Sequence, residues 1–206
     1  MAILYIDYSS PYNVFFYDMN KNVLFQKDQA NYITALGRDQ MNTLGNVSML
    51  DIFLSANQYV EPHIHQNASE LVYCISGSAL VTFINPFSKQ VINLELFPGQ
   101  TANIPQGFWH YEVATQDHTH LLAIFDAPYP QAIYGSDILR LTPSQAMANS
   151  YCSISACGRG RSHQLIKRLL SDHLPIAQGS YSNLSSQDTS LFRINAFIRN
   201  PCLHRK

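Results

Sequence analysis

The chain has 206 residues, 46% hydrophobic and 12% aromatic, with a formal net charge of −1 at pH 7. That length suits one domain with residues to spare and can bury a real core. Only 13% of residues are charged, about half the usual fraction, and a balance so near zero points to neither a nucleic-acid nor a membrane partner.

The balance hides an asymmetry. Residues through Ser150 carry 5 Lys/Arg against 12 Asp/Glu, and those from Tyr151 onward carry 8 against 2. An acidic body is followed by a basic tail. No run is long and apolar enough to span a bilayer. Met1-Ala2-Ile3-Leu4 leads directly into Tyr5 and Asp7, which is not a secretory signal, so a cytoplasmic location is expected. Cys74 falls in a strand pattern while Cys152, Cys157 and Cys202 fall in the tail, a distribution that describes no disulfide framework.

In chain order, Ala2 to Phe16 is rich in Tyr, Ile, Val and Phe around Ser9-Ser10-Pro11, and predicts one or two short strands about a turn. Further strands are expected over Tyr32–Leu36, Val47–Leu54, Leu71–Ile75, Ala79–Ile84, Val91–Phe97, Thr101–Ile104, Trp109–Thr115 and His120–Phe125. Asn85-Pro86, Pro98-Gly99 and Pro105-Gln106-Gly107 punctuate them. Many short strands with such turns predict an all-β sandwich or barrel. A short helix is expected after Thr142-Pro143, with Thr as N-cap and Pro as first helical residue. The division is an N-terminal strand arm over 1–43, a barrel core over 44–127, an exit loop and short helix over 128–150, and a basic tail over 151–206.

The chemistry is concentrated at His63-Ile64-His65. On a strand, alternate side chains share a face, so the two imidazoles project together as a chelating pair suited to Zn, Cu, Fe or Ni. Glu70 follows the short turn Gln66-Asn67-Ala68-Ser69, from which a returning strand brings its carboxylate back to the same point. His110 lies at a fixed offset from Gly99, Pro105 and Gly107. These spacings, His63-x-His65-x4-Glu70-x6-Gly77 and Gly99-x5-Pro105-x-Gly107-x2-His110, resemble the two motifs of the cupin superfamily.

The resemblance implies a double-stranded β-helix, or jelly-roll barrel, with His63, His65, Glu70 and His110 as ligands of one divalent metal and positions left open for substrate. Asn67-Ala68-Ser69-Glu70-Leu71 and Ser76-Gly77-Ser78-Ala79 make the chain most similar to single-domain germins and oxalate decarboxylases, which implies manganese first, with iron, nickel or zinc as the other choices. It departs from that group in three places. Ala114 stands where the second motif usually ends in Asn. Val60 stands where oxalate-cleaving enzymes carry an Arg that pairs with the substrate. Ala127 to Gly135 holds no acidic residue where those enzymes place a lid Glu. An anion without a partner cation loses its charge-assisted hydrogen bonds, so oxalate cleavage is not expected.

Other residues complete the reading. Glu112, two residues beyond His110, should face the same interior and is the candidate catalytic acid–base group. Tyr73 should point away from Glu70, and Cys74 should be a small buried hydrophobe. His118 and His120 repeat the H-x-H spacing at a hairpin tip, with no third ligand in step. Cys152, Cys157 and His163 lack a fourth zinc ligand, and the run around Arg159, Arg161, Lys167 and Arg168 reads as a solvated tail. The expected function is a metal-dependent oxidoreductase or decarboxylase acting on a small oxygen-containing molecule. The alternative is a non-catalytic metal- or ligand-binding or storage cupin. The expected assembly is a homodimer with a small molecule in the barrel and no membrane or nucleic-acid partner.

Overall fold

The computed structural model describes residues 6–150 and 198–199. The cysteines of the tail, His163, the basic runs and the segment Leu165 to Leu170 lie outside the described residues. Eleven strands form most of the structure: β1 (Val23–Gln26), β2 (Tyr32–Leu36), β3 (Ser48–Leu54), β4 (Tyr59–His65), β5 (Glu70–Ser76), β6 (Ala79–Asn85), β7 (Gln90–Leu96), β8 (Thr101–Ile104), β9 (Trp109–Ala114), β10 (Thr119–Phe125) and β11 (Ala132–Tyr134). A two-residue strand, β12 (Ile198–Arg199), also pairs with β4.

All pairings are antiparallel, in two six-stranded sheets. The first runs β1-β2-β3-β10-β5-β8 and the second β11-β4-β9-β6-β7, with β12 on β4. Strict alternation creates the inner face. In β3, Ser48, Leu50, Ile52 and Leu54 are buried, and in β10 Thr119, Leu121, Ala123 and Phe125 are buried beside them. Val60, Ala79, Val81, Phe83 and Ala114 from the second sheet join the same apolar cluster. The result is a mostly-β jelly roll, as expected, with one core between the sheets. Strands β1 and β2 of the N-terminal arm lie at the edge of the first sheet. No helix among the described residues is long and apolar enough to cross a membrane.

The structure corrects two local expectations. No strand forms within 6–16, despite the β-branched and aromatic content. Asp7 accepts from the Ser9 backbone N–H at 2.9 Å. Further on, Asn42 and Thr43 bond the backbone of Tyr12 and Val14, so side chains take the partners a strand ladder would supply. At the other end the helix expected after Thr142-Pro143 is present as α2 (Ser144–Ser150), but a further helix, α1 (Gly135–Leu141), precedes it. Thr142 closes α1, its hydroxyl donating to Ile138 O at 2.6 Å, and so does not act as the N-cap with Pro143 as first helical residue.

Gly77 marks the tightest point of the core. Its φ of +71° lies in the left-handed region, and a Cβ there would stand 2.6 Å from Thr119 Cα. Both the conformation and the space demand glycine. Gly77→Ala should destabilise the fold by about 3 kcal/mol, the sum of left-handed strain and overpacking, measured by denaturant unfolding.

Candidate metal centre

Strand β4 carries the first two donors and β9 the third. Their register sets His63 opposite His110, and a bulge between Val60 and His63 lets Val60 pair with Glu112 in the same ladder. A bulge of this kind re-aims the side chains that follow it. The turn before β9 is fixed to the first donor strand, because Gly107 N–H donates to His65 O at 2.9 Å. Gly107 holds that turn at a φ of +81°, which a side chain would strain. Glu70 opens β5, paired with Phe125 of β10 and Ile104 of β8.

These elements bring together His63, His65, Glu70 and His110, whose ligand atoms all lie within 4.8 Å of one another. Their residues are 2%, 5%, 3% and 1% exposed, so water cannot compensate any of them. His63 Nε2 is 3.1 Å from His65 Nε2. Glu70 Oε2 is 3.0 Å from His110 Nε2 and 3.4 Å from His65 Nε2.

The other ring nitrogens explain the orientation. His63 Nδ1 faces Glu61 O at 2.7 Å, His65 Nδ1 faces Gln131 O at 2.9 Å, and His110 Nδ1 faces Phe108 O at 2.8 Å. A carbonyl only accepts, so each Nδ1 carries the proton and each neutral ring turns its Nε2 lone pair inward. Three inward lone pairs and a carboxylate, buried together, repel unless a positive charge lies among them. This donor set fits a divalent ion, and the carbonyls supply the outer support that metal-bound histidines usually have. Phe125 packs edge-on to His65 at 4.8 Å between ring centres, and Tyr134 lies 5.4 Å from His63.

Without an ion, the same buried carboxylates draw a proton to the His110 ring instead. Burial, then the charges of His110 and His65, lower the His63 pKa to about 3. Burial opposes ionisation of Glu70, but hydrogen bonds from His110 and His65 outweigh it and hold the carboxyl well below its usual range. Burial likewise opposes a charge on His110, yet its bond to Glu70 and the charge of Glu112 push its pKa up to about 9. The carboxylates thus draw positive charge to this point of the barrel.

Glu112 faces the interior as the alternation predicts. It is 1% exposed, its Oε1 is 4.0 Å from His110 Nε2, and neither oxygen has a hydrogen-bond partner. Burial and then the Glu70 charge raise its pKa to about 8, with His110 pulling the other way. It lies outside the four-residue group. Cys74 is fully buried and Tyr73 is 38% exposed, both as expected. His120 pairs with Asp51 and stacks on Phe53 with 4.2 Å between ring centres, and His118 is exposed. Among the described residues these histidines join no second metal-binding group. Sequence reasoning missed Gln131, which holds His65 through its backbone, because a carbonyl leaves no residue-type signal.

A family model described as Cupin matches residues 20–151. The chain belongs to the cupin family. Among curated relatives it is 37% identical over 71 residues to germin-like protein subfamily 1 member 1 of Arabidopsis thaliana, covering 34% of this chain and 32% of that protein. It is 30% identical over 114 residues to the probable germin-like protein subfamily 2 member 5 of the same plant, covering 54% and 52%. It is also 30% identical over 124 residues to cocosin 1 of Cocos nucifera, covering 58% and 27%. The chain therefore matches about half or less of the length of these relatives.

Solved cupins share the fold. The crystal structure of the coconut allergen cocosin aligns with a TM-score of 0.59 at 24% identity, over 64% of this chain and 36% of that one. Oxalate decarboxylase from Bacillus subtilis aligns with a TM-score of 0.58 at 21% identity, over 62% and 34%. If this cupin's donor group holds an ion, a divalent metal at 100 times its Kd should add about 2.7 kcal/mol to folding stability. Thermal unfolding of the parent should shift upward accordingly, and His110→Ala should abolish the shift.

Proposed function

We propose that this cupin binds a divalent ion, manganese first, at His63, His65, Glu70 and His110, and oxidises or decarboxylates a small oxygen-bearing molecule there. The observation that supports this most is the orientation of all three rings by backbone carbonyls, with the His110 and His65 Nε2 atoms 3.0 and 3.4 Å from Glu70 Oε2 and the His63 Nε2 3.1 Å from that of His65. A divalent ion in such a place supplies Lewis-acid and templating chemistry. The motif resemblance to germins and oxalate decarboxylases, which implies manganese first, supports that assignment.

The chain's own residues supply the rest. Phe125 and Tyr134 flank the donors and keep water from the ring faces. Glu112, buried and without a partner for either oxygen, can hold or exchange a proton with a group bound beside His110. Val60 pairs with Glu112 across β4 and β9 and is 3% exposed. It offers an isopropyl group where oxalate would need a cation, so the proposed substrate is not oxalate. A second reading is a cupin that binds an ion or small ligand without turnover, or serves in storage, and the 34% identity over 55 residues to 12S seed storage protein CRC of Arabidopsis thaliana favours it.

Elemental analysis of protein purified without added metal separates the readings: stoichiometric manganese or iron supports oxidative chemistry, and zinc shifts the weight to binding. His63→Ala and Glu70→Ala should each reduce bound metal to background, and parent-like metal in either variant overturns the centre. Glu112→Gln should lower turnover by about 100-fold, within the range of general acid–base catalysis, at unchanged metal content. Full turnover in that variant removes Glu112 from the chemistry.

A further inference from the structure

The three histidines are not held alike. His63 and His110 each donate from Nδ1 to a carbonyl two residues earlier in the chain, Glu61 O within β4 and Phe108 O just before β9. Those acceptors come with the strand. His65 donates to Gln131 O, 66 positions away in the chain, on the segment that leaves the barrel after β10. One ring of the donor group therefore depends on a separate piece of chain being docked.

Side chains of the β4–β5 turn hold that piece, with Tyr129 OH also donating to Asp39 Oδ1 at 2.8 Å. Asn67, in the turn between β4 and β5, accepts from Gln131 N–H at 2.8 Å and donates to Tyr129 O at 2.8 Å. With its amide turned to satisfy its surroundings, Gln66 also donates to Gln131 O at 3.1 Å. Immediately beyond, β11 pairs Ala132 with His65 and Tyr134 with His63. Residues 129–134 thus form a strap across the donor strand. Asn67 grips its backbone on both sides of Pro130, a residue that has no N–H to offer.

We infer that Asn67 is a positioning residue for the metal centre: by fixing the strap it fixes Gln131 O, and through it the tautomer and direction of the His65 ring. The inference rests on the reading that the four-residue group holds an ion. Outer-shell partners of metal-bound histidines carry about 10–100-fold in affinity, and a loss of that size follows if Asn67 acts through His65. Removing Asn67 leaves residues 129–131 held by Gln66 and Tyr129 alone ahead of β11, so Gln131 O can shift off Nδ1 and the Nε2 lone pair is less firmly held.

The test uses the full-length chain and Co(II) or Mn(II) alone as probe, with affinity from competition titration and ligand geometry from the visible spectrum of the Co(II) form. Asn67→Ala should weaken affinity by about 10–100-fold and change the Co(II) spectrum. Asn67→Asp, which retains the acceptor for Gln131 N–H, should recover part of the loss. Asn42→Ala removes a comparable pair of bonds, to Val14 N–H and Tyr12 O, and should leave both readouts at the parent values. Parent-like affinity and spectrum in Asn67→Ala, or an equal loss in Asn42→Ala, overturns the inference while leaving the metal centre standing. A parent chain that binds neither ion overturns both. Should Asn67→Ala fail to fold, the imidazole ¹H–¹⁵N spectrum of the parent decides. The His65 Nδ1 proton should be as protected from exchange as those of His63 and His110, and rapid exchange at His65 alone overturns the inference.

Discussion

The antiparallel pairing of β4 with β9 is the constraint on which the centre depends. It sets His63 against His110 across one ladder, and the bond from Gly107 N–H to His65 O fixes the turn that starts β9. The two motifs are far apart in sequence but act as one mechanical unit. Moving β9 by one residue would send His110 and Glu112 to the outer face together, because side chains alternate along a strand. The bulge in β4 serves the same end, since it lets both Val60 and His63 meet partners on β9.

Around this pairing the barrel accepts an electrostatic cost that its apolar walls make larger. Glu70 and Glu112 are 3% and 1% exposed, and an isolated buried carboxylate is strongly disfavoured. The raised pKa of His110 and the depressed pKa of Glu70 are two views of the same demand for positive charge. The supporting carbonyls take the Nδ1 protons and direct the rings, so a cation among the Nε2 atoms can meet that demand in place of ring protonation. Stability and ligand-holding capacity are thus linked in one group of side chains.

Much of this was legible in the sequence, for identifiable reasons. Strands Tyr32–Leu36 and Thr101–Ile104 match the reading residue for residue, because turn residues bound them on both sides. His63, His65 and Glu70 were legible from strand alternation and one short turn, His110 joined them through the resemblance to the second cupin motif, and Glu112 followed from the same alternation. What escaped was non-local. The N-terminal aromatic run reads as strand by composition, but Asn42 and Thr43 take its backbone partners. Strand β11 is only three residues long and carries no signal of its own. Gln131 acts through its main chain, where residue type says nothing.

The order of strands in the first sheet has a consequence for how the protein comes into being. Strand β10 lies between β3 and β5, which do not pair with each other, yet it is the last of the three to leave the ribosome. Until Phe125 is available, the strand bearing Glu70 lacks its neighbour on that side. All four donors have been synthesised by residue 110, but the scaffold that holds them is still open. Closure by such distant pairings is intrinsically slow. A cation meeting the chain before that closure would find a flexible chelate, and one meeting it afterwards a finished pocket.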